Sequence, residues 1–188
     1  MARCPFDSNT HVKREIKTAE GLTFWFADVP EGGITENTYL SAVTSERGSE
    51  LHVLEHFHPK STEYFTIEKG EARFKLDGKD YVVKEGENFV IPRGVVHSVS
   101  LPKDKYVVFK VRGDHDPVAE RDFLIEMFRL VETKQDTLLK MYTCWYKSGN
   151  FVPKIEWCPK AFWSIIVWLL GGVLGSFFGL GKADLKED

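Results

Sequence analysis

Four glycines eight residues apart, Gly70, Gly78, Gly86 and Gly94, place the strongest constraint on what this chain can become. Around them, from residue 23 to residue 111, run short segments such as EYFTI, ARFKL, NFVI and YVVFKV. Aromatic and β-branched side chains favour the pleated, half-buried surface of a strand. Gly, Pro, Asp and Lys bound these segments, so the rhythm predicts short strands joined by tight turns. Asp77-Gly78 is a type I′ hairpin signal, because that turn requires positive φ at its central residues. Many short strands with evenly spaced turns predict a sandwich or barrel.

The pattern changes after Asp116-Pro117. Proline suits the first helical position, and Phe123, Leu124, Met127, Phe128, Leu130 and Val131 come after it at helical spacing. A second helix is predicted around Thr137 to Tyr146, ended by Gly149 and Pro153. These helices are expected to pack on the barrel and close an edge or a mouth of it.

From Ala161 to Gly181 the chain carries no charge. As a helix this stretch would span about 30 Å, the thickness of a bilayer's hydrocarbon core. Gly171, Gly175 and Gly179 recur every four residues, which in lipid makes a close-packing seam for a second helix. Trp163 and Trp168 fall near its amino end, where aromatic residues mark a membrane interface. A soluble reading would bury the segment in a dimer. The amino terminus has no apolar run of the secretory kind, which favours a tail anchor with the barrel facing the cytosol. Three widely spaced cysteines, Cys4, Cys144 and Cys158, argue for a reducing compartment. A net charge of −3 without a basic stripe gives no reason to expect a nucleic-acid partner.

Chemistry is concentrated in four residues. On a strand from Glu50 to His58, alternate side chains share a face, so His56 and His58 project together. The turn Pro59-Lys60-Ser61-Thr62 brings in Glu63 on the next strand, and His97 stands on a separate one. Three imidazoles and one carboxylate suit one divalent transition metal such as Fe, Mn, Zn or Ni. In a six-coordinate ion two positions would stay open, unlike those of a closed structural site. His52 shares the parity of His56 and His58, so it is either a residue orienting a ligand or a rim histidine. Glu55 has the opposite parity and is expected to face water. Phe65, Phe74, Phe89, Val99 and Phe109 are inward by alternation, as barrel core.

These residues resemble the two motifs of the cupin superfamily. His56-Phe57-His58, four residues, Glu63, six residues and Gly70 resemble the first motif. Gly86, five residues, Pro92-Arg93-Gly94, two residues and His97 resemble the second, with Leu101 where the family often has Asn. The resemblance implies an all-β fold, a single cupin barrel of the double-stranded β-helix or jelly-roll kind, with His56, His58, Glu63 and His97 as metal ligands. The expected plan is a barrel with N-terminal strands over residues 1–116, a helical extension over 117–160, a transmembrane helix over 161–181 and a polar tail over 182–188. The ligand set resembles that of cupin dioxygenases and isomerases, and the layout is similar to cupin oxidoreductases of fungal polyketide pathways. By that resemblance the chain is expected to be a metal-dependent enzyme of secondary metabolism with oxidoreductase or dioxygenase chemistry, and the membrane tail would suit a small lipophilic substrate, aromatic or polyketide-like. The chemistry is assigned to the metal, with no separate catalytic residue named. The alternatives are an isomerase and a non-catalytic ligand-binding module. Exposed barrel edges invite pairing into a homodimer.

Overall fold

A computed structural model describes residues 3–135 and 137–180. Two antiparallel sheets face one another. The first has the order β1 (Val12–Lys17), β2 (Leu22–Ala27), β3 (Ser41–Ser45), β11 (Val107–Gly113), β6 (Glu63–Lys69) and β9 (Asn88–Ile91). The second has the order β12 (Val152–Pro153), β5 (His56–Phe57), β10 (His97–Leu101), β7 (Glu71–Leu76) and β8 (Lys79–Lys84), with β4 (Leu51–His52) also on β10. Their inner faces bury Phe24, Phe26, Phe65, Ile67, Phe74, Val99 and Phe109. Phe65, Phe74, Val99 and Phe109 are thus inward as alternation predicts, and Phe89 packs against them half-buried.

The predicted hairpin is present. Asp77 and Gly78 have φ of 43° and 83°, and β7 and β8 pair on either side of them. The strand expected from Glu50 to His58 is instead broken into β4 and β5. Residues 53–55 belong to neither, so parity does not run through from His52 to His56. His52 pairs with Ser100 and is exposed, and it does not reach the site. Glu55 is half-buried rather than free in water, because Lys154 donates to it at 2.6 Å.

Both predicted helices form. α1 spans Pro117–Glu132, with Pro117 opening it and the Asp116 carboxylate accepting from the Ala119 N–H at 3.0 Å. α2 spans Leu138–Ser148 and ends at Gly149, whose φ is 59°. Together with Phe57, Phe151 and Trp163 they form a second apolar core.

A third helix, α3, runs Lys160–Phe177 and is long and apolar enough to cross a membrane by length and composition. It tightens to 3-10 geometry over Lys160–Phe162 and widens to π geometry over Trp168–Leu174. The glycine seam proves to be filled by the chain itself. A Cβ at Gly171 would strike the Tyr142 carbonyl, and one at Gly175 would strike the Thr143 hydroxyl, both on α2. Gly179 is not part of this seam: it lies beyond the helix end, with φ of 69°. Trp163 is buried, and its indole N–H donates to the Cys158 carbonyl at 2.6 Å. The opposite face exposes Ile165, Trp168, Leu169, Val173 and Phe177. Gly181 and the polar tail 182–188 lie outside the described residues.

Candidate metal centre

The four donors predicted from sequence come together. One nitrogen or oxygen from each of His56, His58, Glu63 and His97 lies within 4.8 Å of the others, and all four residues are buried. Sheet register does most of this work. His56 on β5 is directly paired with His97 on β10, so their side chains share a face. Glu63 opens β6 in the facing sheet and reaches across to them.

Each imidazole is oriented by its other nitrogen. Nδ1 of His56 faces the Leu54 carbonyl at 2.7 Å, that of His58 the Asn150 carbonyl at 2.6 Å, and that of His97 the Val95 carbonyl at 3.0 Å. A carbonyl only accepts, so each Nδ1 carries the hydrogen and each Nε2 is directed at the centre. There Nε2 of His58 stands 3.1 Å from Nε2 of His56 and 3.2 Å from Glu63 Oε1. His97 Nε2 and Glu63 Oε2 stand 2.8 Å apart, yet neither completes a well-angled hydrogen bond. Buried polar atoms left this way are costly, and a cation among them removes the cost. The donor set therefore fits a divalent metal ion.

The electrostatics of the cluster agree with this fit. Burial and the neighbouring His97 and His58 depress the His56 imidazole well below its ordinary value. Burial also opposes charge on His58, but Glu63 overrides it and raises that imidazole to about 9. Burial would raise the Glu63 carboxyl, and the His58 charge instead holds it well below the usual range. Without metal, a proton on His58 supplies the positive charge that Glu63 demands.

Sequence reading missed Asn150 and Phe151 of the helical extension. Asn150, just past α2, accepts from His58 through its carbonyl, while its side chain binds the loop between the ligands. Phe151 stacks on His56 with ring centroids 4.1 Å apart and 17° between planes. Neither belongs to a barrel motif, and no local spacing connects residue 150 to residue 58.

The site opens on a cavity of about 360 Å³. Phe24, Phe26, Phe65, Val99, Phe109, Phe123 and Phe128 are among its walls, so several side chains expected to be plain core line this space. His56, His58 and Glu63 reach the cavity, whereas His97 lies behind them, 1% exposed. Exposed Lys60, His115, Asp116 and Lys147 rim its mouth. His11, also outside the motifs, is exposed and pairs with Asp28 at 2.6 Å.

Residues 45–111 match the family described as the cupin domain. This segment of the chain is a cupin domain. The matched segment holds all four donors of the cupin site and ends before the helical extension. Cupin-fold crystal structures are similar at low identity. One, from Shewanella frigidimarina and described as an RmlC-like cupin, is 17% identical over 59% of this chain and 89% of its own, with a TM-score of 0.39. Another, described as a sugar phosphate isomerase of the cupin superfamily from Silicibacter pomeroyi, is 18% identical over 52% and 62%, with a TM-score of 0.40. A third, from Acidithiobacillus ferrooxidans, is 16% identical with a TM-score of 0.34, and this cupin spans 48% of its length. Among curated proteins none matches.

Proposed function

We propose that this cupin is a metal-dependent enzyme, an oxidoreductase of the dioxygenase kind, acting on a small lipophilic aromatic or polyketide-like metabolite. One observation carries the reading: the four-donor cluster opens on a cavity of about 360 Å³ walled by phenylalanines and aliphatic side chains. That volume falls in the range of small-molecule sites. A divalent ion bound there would act as a Lewis acid or hold dioxygen beside the substrate. The chain's own residues supply the rest. Aromatic walls bind the substrate's body and exclude water, and Phe151 with the three backbone carbonyls keeps the imidazoles aimed at the centre. A sugar would leave its hydroxyls unpaired along such walls, which weighs against isomerisation of a sugar.

In the same proposal α3 attaches the cupin to a membrane as a tail anchor, with the barrel on the cytosolic side. The support is its row of exposed apolar side chains, from Ile165 to Phe177. A lipophilic substrate would collect at that surface. Flotation with neutral lipid vesicles tests this: wild-type protein is expected to float, and a Leu169→Lys/Val173→Lys variant to stay behind. Wild-type protein that stays behind overturns the anchor.

The catalytic reading is tested by elemental analysis of the full-length protein and of His58→Ala, then by oxygen uptake with a panel of hydrophobic phenols and diketones. Near one equivalent of Fe in wild type, much less in the variant, and substrate-dependent oxygen uptake are the expected results. Zn, Mn or Ni without oxygen uptake would move the reading to an isomerase. Tight ligand binding with no product would leave a binding module. No metal after reconstitution with each ion overturns the metalloenzyme altogether.

A further inference from the structure

A fifth polar side chain reaches the polar end of the cavity. Glu120 stands in the first turn of α1 and shares the cavity wall with His56, His58 and Glu63. The space it fills exists because a side chain is missing. β11 ends at Gly113, directly across the ladder from Glu63. Directly paired residues place their Cβ atoms on one face, about 5 Å apart. Gly113 has no Cβ, and the Glu120 carboxyl occupies the position it would take, beside Glu63 and near the Ser61 hydroxyl.

Its direction is fixed. Asp116 caps α1, and the adjacent Arg121 is buried, donating to the Ala27 carbonyl at 3.0 Å. The Glu120 carboxyl lies directly against Gly113. Glu120 is nevertheless not one of the four converging donors. Burial first, then the Glu63 charge, pushes its carboxyl up to about 7. His58, Asp114 and the rim groups His115, Asp116, Lys60 and Lys147 are the other charged or titratable groups around it. A carboxyl group accepts a hydrogen bond, and in its protonated form also donates one.

We propose that Glu120 is a substrate-contacting residue that hydrogen-bonds the oxygen-bearing head group of the ligand. His56, His58 and Glu63 face the same head group, and its hydrophobic body lies among Phe24, Phe65, Phe109 and Phe128. The substrate class is therefore an amphiphile polar at one end only, a phenol, enol or ketone, and not a polyol. This inference rests on the metal-site reading of the cupin and names the substrate class for that site.

The test uses 4-nitrocatechol, a phenolic chromophore, titrated without oxygen into full-length protein loaded with Co(II). Glu120→Ala is expected to bind it about tenfold more weakly, while Glu120→Gln, which keeps a hydrogen-bonding head, stays within about threefold of wild type. Gly113→Ala, which pushes the carboxyl aside, should weaken the probe like Glu120→Ala. Cobalt content is expected to be equal in all four proteins. Unchanged probe affinity in Glu120→Ala and Gly113→Ala overturns the contact. Loss of cobalt from Glu120→Ala overturns it too, by making Glu120 a ligand. A wild-type protein that takes up no cobalt sinks the metal reading itself, before any probe is added. Should Glu120→Ala not fold, Gly113→Ala and Glu120→Gln carry the comparison alone.

Discussion

The Asn150 carbonyl accepts from His58 Nδ1 at 2.6 Å, although the two residues stand 92 positions apart. The Asn150 side chain also accepts from the Lys60 N–H at 2.9 Å and donates to the Ser61 hydroxyl at 2.6 Å. One residue of the helical extension thereby holds both His58 and the loop that separates it from Glu63. Outer partners of metal ligands are worth about 10–100-fold in affinity. Asn150→Ala keeps the backbone carbonyl and loses both loop contacts, so metal affinity should fall by about tenfold, read by competition with a chromophoric chelator. A change under twofold would show that the loop holds itself.

Metal uptake should expel the proton that His58 carries. With its folded value raised to about 9, affinity below that pH must rise with pH, by up to tenfold per unit from this one proton. Chelator competition at pH 6.5, 7.5 and 8.5 measures the slope, and a flat profile refutes the apo ion pair.

The same raised value makes a stability prediction for the metal-free protein. The unfolded imidazole titrates near 6.5, so the stabilisation is fully present below that pH and is lost as pH rises through about 9. Between pH 6.5 and 9.5 the loss is on the order of 3 kcal/mol. Apo thermal midpoints should fall across this window while those of the metal-loaded protein hold. Parallel curves would contradict the assignment.

His97 and His52 separate ligand from bystander. His97→Ala removes a buried donor at the back of the site and should abolish stoichiometric metal, whereas His52→Ala, exposed on β4, should leave it intact. Elemental analysis of the two variants decides, and metal loss in His52→Ala would count against the geometry.

The contact of α3 with α2 is open to a single substitution. Gly175→Val places branched carbons against the Thr143 hydroxyl and should cost about 1–3 kcal/mol, seen as a lower thermal midpoint and faster proteolysis near residue 160. A helix that merely trails from the barrel would tolerate the change without loss.

Local patterns determined a good part of this protein. The glycine rhythm, Asp77-Gly78, Asp116-Pro117 and Gly149 each carry their own backbone requirement, so the hairpin and both helix boundaries were readable in the sequence. His56, His58, Glu63 and His97 were readable as a group because motif spacing stands in for sheet register. Contacts made between distant segments were not. Nothing near residue 52 reveals that the strand breaks at 53–55, which takes His52 out of the site. Asn150, Phe151 and Glu120 reach the centre only because α1 and α2 fold back onto the sheets. The glycines of α3 signal close approach, but only tertiary packing decided that Tyr142 and Thr143 of the same chain fill the seam. A spacing records what the chain does to its neighbours along the backbone; which remote surface a side chain meets depends on the packing of the whole.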